Sequence, residues 1–522
     1  MLHLQEQSLD WALNHVLKYG DTDVFPVPFE YQALKLDWAN VKTTLLGQDV
    51  LQWTTRPLRI LLSPKARNGF RVITQLDPLD FIVFSAIIKE ISQEIELRRI
   101  PIAQGRVFSY RVDIQANGQI FNPNIGYRQF LAECQRKLVA DPNLRFVATT
   151  DISDFYARIY HHRLDNSLQV ATTRNNHVRA LMRLLSGWNG TETFGVPIGS
   201  APTRLLAELT LTDVDEALLA AGIDFIRFND DYRIFSNTYE QGYRAITFLA
   251  ETLYRNHGLN LQPQKTEVYE REQFRTRFLV TPLDRELNSL HSRFEDLANE
   301  LGLNDWYEPI EYDDLDPGQQ LAIDSLNLEQ LLRDELDEDE PELPLIRFVL
   351  RRLGQLGNDS VIDTLFDNLD KVHPALPDIC RYVKSLRFLD AAQRSALGGR
   401  MLSLLSGSVV SELAYHRMWI LDLFVSSREW DNEGQFFILY GTEPDSACRR
   451  NLILAMGRAH QTHWFQSQWR TLFDQPHWPR RALLAAASCM ATDARRHWYR
   501  SVEPQLDPLE LAVMRWALQH PF

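Results

Sequence analysis

The stretch Phe225-Ile226-Arg227-Phe228-Asn229-Asp230-Asp231-Tyr232-Arg233-Ile234-Phe235 sets two short apolar and aromatic arms on either side of adjacent carboxylates. Aromatic and β-branched residues favour strands and Asn-Asp-Asp is turn chemistry, so the stretch predicts a tight β-hairpin with acids at its tip. Like charges beside buried strands repel and resist ionising together, and a divalent cation is the obvious neutraliser. An Asp-Asp turn alone is by default solvated. The balance changes with a second apolar strand ending in an acid, Arg145 to Tyr156 with Asp151 within it. If Asp151 approaches Asp230 and Asp231, the carboxylates can hold two Mg²⁺ ions for an in-line phosphoryl or nucleotidyl displacement.

A chain of 522 residues exceeds one typical core and predicts at least two domains. The start, Met1-Leu2-His3-Leu4-Gln5-Glu6, lacks a basic n-region and an apolar h-region. No apolar run approaches the roughly 18 residues of a membrane span, so the expectation is a cytoplasmic chain with no membrane partner. Cys134, Cys380, Cys448 and Cys489 are scattered, without zinc-site spacing or the density of a disulfide scaffold, and read as buried thiols. The net charge of −14 is uneven: residues 1–284 hold 31 basic and 32 acidic residues, the remainder 24 and 37. Residues 51–200 carry 19 basic against 12 acidic, a footprint suited to a polyanion or triphosphate.

Within that footprint, Pro57 to Leu62 and Phe70 to Ile73 flank Ser63-Pro64-Lys65-Ala66-Arg67-Asn68-Gly69, which predicts a hairpin with a basic tip. Asp77 or Asp80 caps a long apolar helix through Ile91. Gly195, Pro197 and Gly199 precede a helical run from Thr203, a pattern that lets backbone approach a nucleotide closely. His161 and His162 are adjacent and cannot share one helical site, which favours a polar surface over metal ligation.

Five stretches carry a resemblance. Asp151 to Tyr156, Gly195 to Ser200, Phe228 to Asp231, Leu259 to Thr266 and Arg277-Phe278-Leu279-Val280 resemble, in order, motifs A to E of reverse transcriptases. The wording Asp-Ile-Ser-Asp-Phe-Tyr, then Ile159-Tyr160-His161-His162, and the long helical tail are most similar to the bacterial abortive-infection (Abi) and related unknown-group reverse transcriptases that defend against phage. The resemblance implies an α+β fold. Reverse-transcriptase-like fingers and palm with an antiparallel palm sheet would occupy residues 1–284, and an all-α, HEAT-like helical domain residues 285–522.

It further implies Asp151, Asp230 and Asp231 as catalytic ligands of two Mg²⁺ ions, with Mn²⁺ as an alternative and the Ile152 carbonyl as an added ligand. Tyr156 stands where such enzymes place an aromatic gate against a ribose 2′-OH, which implies dNTP substrates. Lys65 and Arg71 match the residues that grip the triphosphate, with Arg111 in an assisting place on a further fingers strand at Ser109-Tyr110-Arg111. Pro197 and Gly199 fall in the nucleotide-binding turn, and Lys265 is placed to donate a proton to the leaving pyrophosphate. The chain departs from the family at Ile198, where Gln is common; an aliphatic side chain offers no hydrogen bonds there and argues against ordinary templated pairing.

For the Abi type the resemblance implies template-independent synthesis primed on a tyrosine hydroxyl, leaving single-stranded DNA attached to the enzyme; Tyr19, Tyr31 and Tyr110 are the candidates. The alternatives are an RNA-templated reverse transcriptase of the retron or intron kind, and an inert palm serving as a scaffold or phage sensor. Amphipathic spacing at Leu290, Phe294, Leu297 and Leu301 opens the second half. The acidic segment Asp334 to Glu342 reads as a solvated linker, and helices follow from Leu345 to Met490. Trp430, Trp464, Trp469, Trp478 and Trp498 suit a helical core better than a DNA-stacking platform. Helical arrays also offer subunit interfaces, so a homo-oligomer is expected.

Overall fold

The computed structural model describes residues 1–65, 69–279, 327–339 and 341–522. The chain divides into two units, Met1–Ile60 with Ile73–Thr281, and Leu61–Val72 with Pro282–Phe522. Val280, the helix expected through Leu290 to Leu301 and the expected boundary at 284/285 lie outside the described residues.

In chain order the elements that matter here are α1 (Glu6–Tyr19), β1 (Arg59–Pro64), β2 (Phe70–Gln75), α2 (Pro78–Arg98), α3 (Tyr127–Ala140), β3 (Phe146–Asp151), α4 (Ala201–Thr210), α5 (Thr212–Ala220), β4 (Asp224–Phe228), β5 (Asp231–Ser236), α6 (Tyr239–His257) and β6 (Glu267–Glu270). The architecture is α+β. β1 and β2 form a two-stranded sheet, with residues 66–68 of the expected basic tip outside the described residues, and the other four strands form one sheet in the order β4-β5-β3-β6, antiparallel throughout. Directly opposed residues of antiparallel strands share a face. Val147 opposes Phe235 and Tyr269, and this face packs on Phe130, Cys134 and Leu138 of α3. The other face lies under α6, whose Ala245, Ile246, Leu249 and Leu253 are buried at helical spacing.

α2 starts as its sequence dictates, with Pro78 in the first turn and the Asp77 carboxylate accepting from the Leu79 N–H at 3.2 Å. Asp80 has a different task. Its carboxylate is buried and accepts from the indole N–H groups of Trp53 and Trp188 and from the Arg56 N–H, each at 2.8 Å. Burial and the nearby Asp77 charge push its pKa up to about 6 against these donors.

Three local expectations are corrected. Ser109 to Arg111 is not a strand: that segment makes only the isolated bridges Val107 to Arg227 and Val112 to Phe121. Arg277, Phe278 and Leu279 lie in a π-helical turn, where Phe278 packs on Tyr269 and Phe274. Asp334 to Asp337 belong to the helix Leu328–Asp337, because Leu328, Leu332 and Leu336 bury one stripe and leave the acids outside.

Beyond it the second unit is helical. Leu343–Gln355 packs on Leu376–Ser385, and the series continues neighbour to neighbour through Ala414–Ser426, Ser446–Arg458, His477–Ala486 and Pro508–Gln519. Trp430, Trp478 and Trp498 are buried, as core residues of such a stack should be. No described helix is long and apolar enough to cross a membrane.

Replacing Asp80 tests the packing of α2. An amide in place of the carboxylate turns an NH₂ group towards buried donors, so Asp80→Asn lowers unfolding free energy by about 1–3 kcal/mol in a urea titration. An unchanged midpoint would contradict the assignment of Asp80 as the hub of this contact.

Candidate active site

The acids converge at one end of the four-stranded sheet. Asp151 ends β3 directly opposite Asp231, the first residue of β5, and Asp230 precedes it in the turn from β4. The Ile152 N–H donates to the Asp230 carbonyl at 3.2 Å, and the Gln262 N–H to the Asp151 carbonyl at 2.7 Å, which fixes the end of β3 between two segments. The expected hairpin and the second acidic strand therefore meet, with Ile152 buried between them.

Each acid is differently compensated. Burial, then the Asp151 charge, pushes Asp230 up to about 7. Burial also raises Asp231, against the opposing charge of Arg233, whose Nη2 donates to Oδ2 at 2.9 Å while Nη1 reaches Oδ1. Residues two apart in a strand share a face, so Arg233 falls beside Asp231 and is sandwiched against the rings of Phe130 and Phe278. Lys265, in the short turn Pro263–Lys265, is exposed and pairs through Nζ with Asp151. Partial burial opposes its charge, but the Asp151 bond raises its pKa overall.

Carboxylates that resist joint ionisation, with hard oxygens at one sheet end, fit a divalent cation of the Mg²⁺ type. They are not drawn together as tightly as His477, Asp507 and Glu510, which alone among the described residues place ligand atoms all within 4.8 Å of one another. That second cluster has a structural explanation. Asp507 and Glu510 form the capping box of the helix Pro508–Gln519, and Glu510 also pairs with Arg480 at 3.2 Å.

The turn between β4 and β5 is held from beneath by buried charge. Arg227, wholly buried, donates through Nε to Asp215 at 2.8 Å, and through Nη1 to Glu208 at 3.1 Å and the Asn229 carbonyl at 2.8 Å. Arg99 joins Glu208 at 2.6 Å and the Ser109 carbonyl at 2.6 Å. Burial works to raise Glu208, yet Arg227 and Arg99 hold it below the usual carboxylate range; at Asp215 burial prevails and the pKa is raised. This network was missed from sequence, although Arg227 between Ile226 and Phe228, and Glu208 in an apolar helix, are charges that demand partners.

Arg111 belongs to the same buried system. At 1% exposure it bonds Glu96 at 2.7 Å and the Ile100 carbonyl at 2.9 Å, and burial beside Arg99 lowers its pKa to about 10. It is sealed in the interior and does not face a ligand as expected. Lys65 and Arg71 are exposed on a segment that groups with the second unit, where the Arg71 charge acts on Tyr415. The loop of Pro197 and Gly199 is fastened through Ile198, whose N–H donates to Thr74 Oγ1 at 2.6 Å; Pro197 is buried and Gly199 has φ +109°. The His161 imidazole meets the Gly195 carbonyl at 2.8 Å, so this buried histidine braces the loop, while His162 is exposed.

Tyr156 is half-buried, and its hydroxyl donates to Asn229 Oδ1 at 3.1 Å. Of the three other tyrosines singled out, Tyr19 is exposed, Tyr31 is wholly buried, and Tyr110 is half-buried under the Arg204 guanidinium at 5.3 Å.

Residues 64–286 match the family model described as Reverse transcriptase (RNA-dependent DNA polymerase), a span that includes all three acids and Lys265. No curated protein matches the sequence. Among solved structures, the chain is similar to apo telomerase from Candida tropicalis truncated from its C-terminal domain, at 14% identity and a TM-score of 0.32, over 42% of this chain and 51% of that one. It is also similar to telomerase from Candida albicans in complex with the TWJ fragment of telomeric RNA, at 12% identity and a TM-score of 0.32, over 78% of this chain and 70% of that one. The chain spans about half the length of the first of these.

Arg227 carries the strongest stability prediction. Arg227→Met leaves Asp215 and Glu208 short of their main buried cation and costs about 3–5 kcal/mol in chemical denaturation. A loss below about 1 kcal/mol would contradict the role given to this network.

Proposed function

We propose that the reverse transcriptase domain of this chain is an active DNA polymerase that joins dNTPs by metal-dependent nucleotidyl transfer at Asp151, Asp230 and Asp231. The observation that supports the reading is the meeting of these acids at one sheet end, Asp151 and Asp231 in direct register and Asp230 in the adjoining turn. Two Mg²⁺ or Mn²⁺ ions held by these side chains, with the Ile152 carbonyl, would supply charge stabilisation to the attacking hydroxyl and the departing pyrophosphate. Lys265 Nζ, on the rim beside Asp151, is the group from which the pyrophosphate oxygen takes its proton. The Tyr156 ring excludes a ribose 2′-OH, whereas Pro197 is buried and the Ile198 backbone is taken by Thr74, which leaves the Pro197 to Gly199 loop a bracing role.

Template-independent synthesis is the finer reading, supported by two features of one loop. Ile198 has an aliphatic side chain and a backbone bound to Thr74, so it offers a base no side-chain hydrogen bond. The segment Thr22 to Val24 also covers Gly199: a Cβ there would touch Thr22 and Val24 at 3.5 Å. Tyrosine priming fits Tyr110, half-buried next to Ser109, whose hydroxyl holds the Asn229 turn, better than Tyr31, which is wholly buried. A role in phage defence by abortive infection rests on the resemblance of the motif wording alone. The second reading, RNA-templated synthesis, is favoured by the description of the matching family.

The test is incubation of the purified chain with labelled dNTPs and Mg²⁺, with and without an RNA template and primer, read by denaturing electrophoresis and intact mass. Incorporation without template, with a mass adduct on the protein, is the expected result; strict template dependence overturns the template-independent reading in favour of the second. Asp151→Ala and Asp230→Asn each lower incorporation by more than about a hundredfold with the circular dichroism spectrum unchanged. Incorporation that persists in these variants would overturn the assignment of the acids.

A further inference from the structure

Asn229 lies between Phe228, which packs among Tyr110, Tyr127 and Phe130, and Asp230. Its backbone is held from both sides. The N–H donates to Ser109 Oγ at 2.8 Å and the carbonyl accepts from the buried Arg227 at 2.8 Å. Its φ of +56° is a left-handed conformation that Asn tolerates better than most residues. With the backbone fixed, the side chain has a defined direction: Oδ1 accepts from the Tyr156 hydroxyl at 3.1 Å, and Nδ2 donates to Asp230 Oδ1 at 2.7 Å.

We propose that Asn229 is a positioning residue that couples the nucleotide-facing phenol of Tyr156 to the cation-holding carboxylate of Asp230, so that one amide sets both sugar selection and cation affinity. The inference rests on the polymerase reading above. The amide suits the place because it carries an acceptor and a donor on one short arm. Asp keeps the acceptor for Tyr156 but has no donor for Asp230. A backbone-tolerant residue with no side chain has neither. Donation to Oδ1 orients the carboxylate, as a partner behind a ligand does at metal sites. Acceptance from Tyr156 anchors the phenol, so a ribose 2′-OH must break that bond as well as displace the ring.

Asn229→Gly and Asn229→Asp test the coupling, since both tolerate positive φ and preserve the turn. Two measurements are made on each. One is the ratio of dNTP to rNTP incorporation, resolved into kcat and KM. The other is Mn²⁺ binding to the nucleotide-free protein, followed by electron paramagnetic resonance. Asn229→Gly is expected to lower the sugar ratio and weaken Mn²⁺ binding, each by roughly tenfold, as for loss of a ligand's supporting partner. Asn229→Asp keeps the sugar ratio within about twofold of the unaltered protein, because its carboxylate still accepts from Tyr156. Tyr156→Phe combined with Asn229→Gly lowers the sugar ratio no further than the worse single variant.

Unchanged sugar ratio and Mn²⁺ binding in Asn229→Gly, equal loss of sugar selection in Asn229→Asp, or additive effects in the double variant overturn the coupling while leaving the polymerase reading intact. An unaltered protein that incorporates no nucleotide overturns both.

Discussion

Arg227 carries a full positive charge into the interior of the first unit, and the geometry of the acidic turn depends on how that charge is met. A lone buried guanidinium is costly, but this one is shared among Asp215, Glu208 and the Asn229 carbonyl. The third contact matters most for function. It fixes the backbone at the point where β4 gives way to the turn, and Ser109 holds the same residue through its N–H. The adjacent carboxylates are thus presented by a turn whose shape is set beneath them.

Above that base the site is a balance of like charges. Asp151 and Asp231 are forced into register by strand pairing, and Asp230 is pushed up to about 7 by its surroundings. Arg233 and Lys265 each meet one acid. Lys265 sits on an exposed rim turn, whereas Arg233 is buried between aromatic rings. The exposed cation thus meets Asp151 at the rim, and the buried one holds Asp231 at the sheet end. Asn229 adds a neutral tie from Tyr156 to Asp230.

Much of this was legible in the sequence where periodicity or turn chemistry decides the outcome. The arms around Asn229-Asp230-Asp231, the strand before Asp151 and the Asp77 cap of α2 follow from local rules. What was not legible depends on partners distant in the chain. Arg111 resembled a phosphate contact because its neighbours did, but Glu96 and the Ile100 carbonyl claim it. The acids from Asp334 to Asp337 resembled a linker by charge, yet three leucines four residues apart outweigh them. Phe278 joined an aromatic cluster with Tyr269 and Phe274 in a π-helical turn where a strand was expected. The ties of Asn229 to Tyr156 and Asp230 depend on a positive φ and on a partner 73 residues away, neither of which the sequence displays.

The central claim is that Asp151, Asp230 and Asp231 bind catalytic cations. Anomalous diffraction from crystals soaked in Mn²⁺ with a non-hydrolysable dNTP analogue tests it most directly. The account predicts Mn²⁺ peaks within about 2.0–2.5 Å of carboxylate oxygens of Asp151 and Asp230. Peaks confined to His477, Asp507 and Glu510, or none at the end of β3, would contradict it.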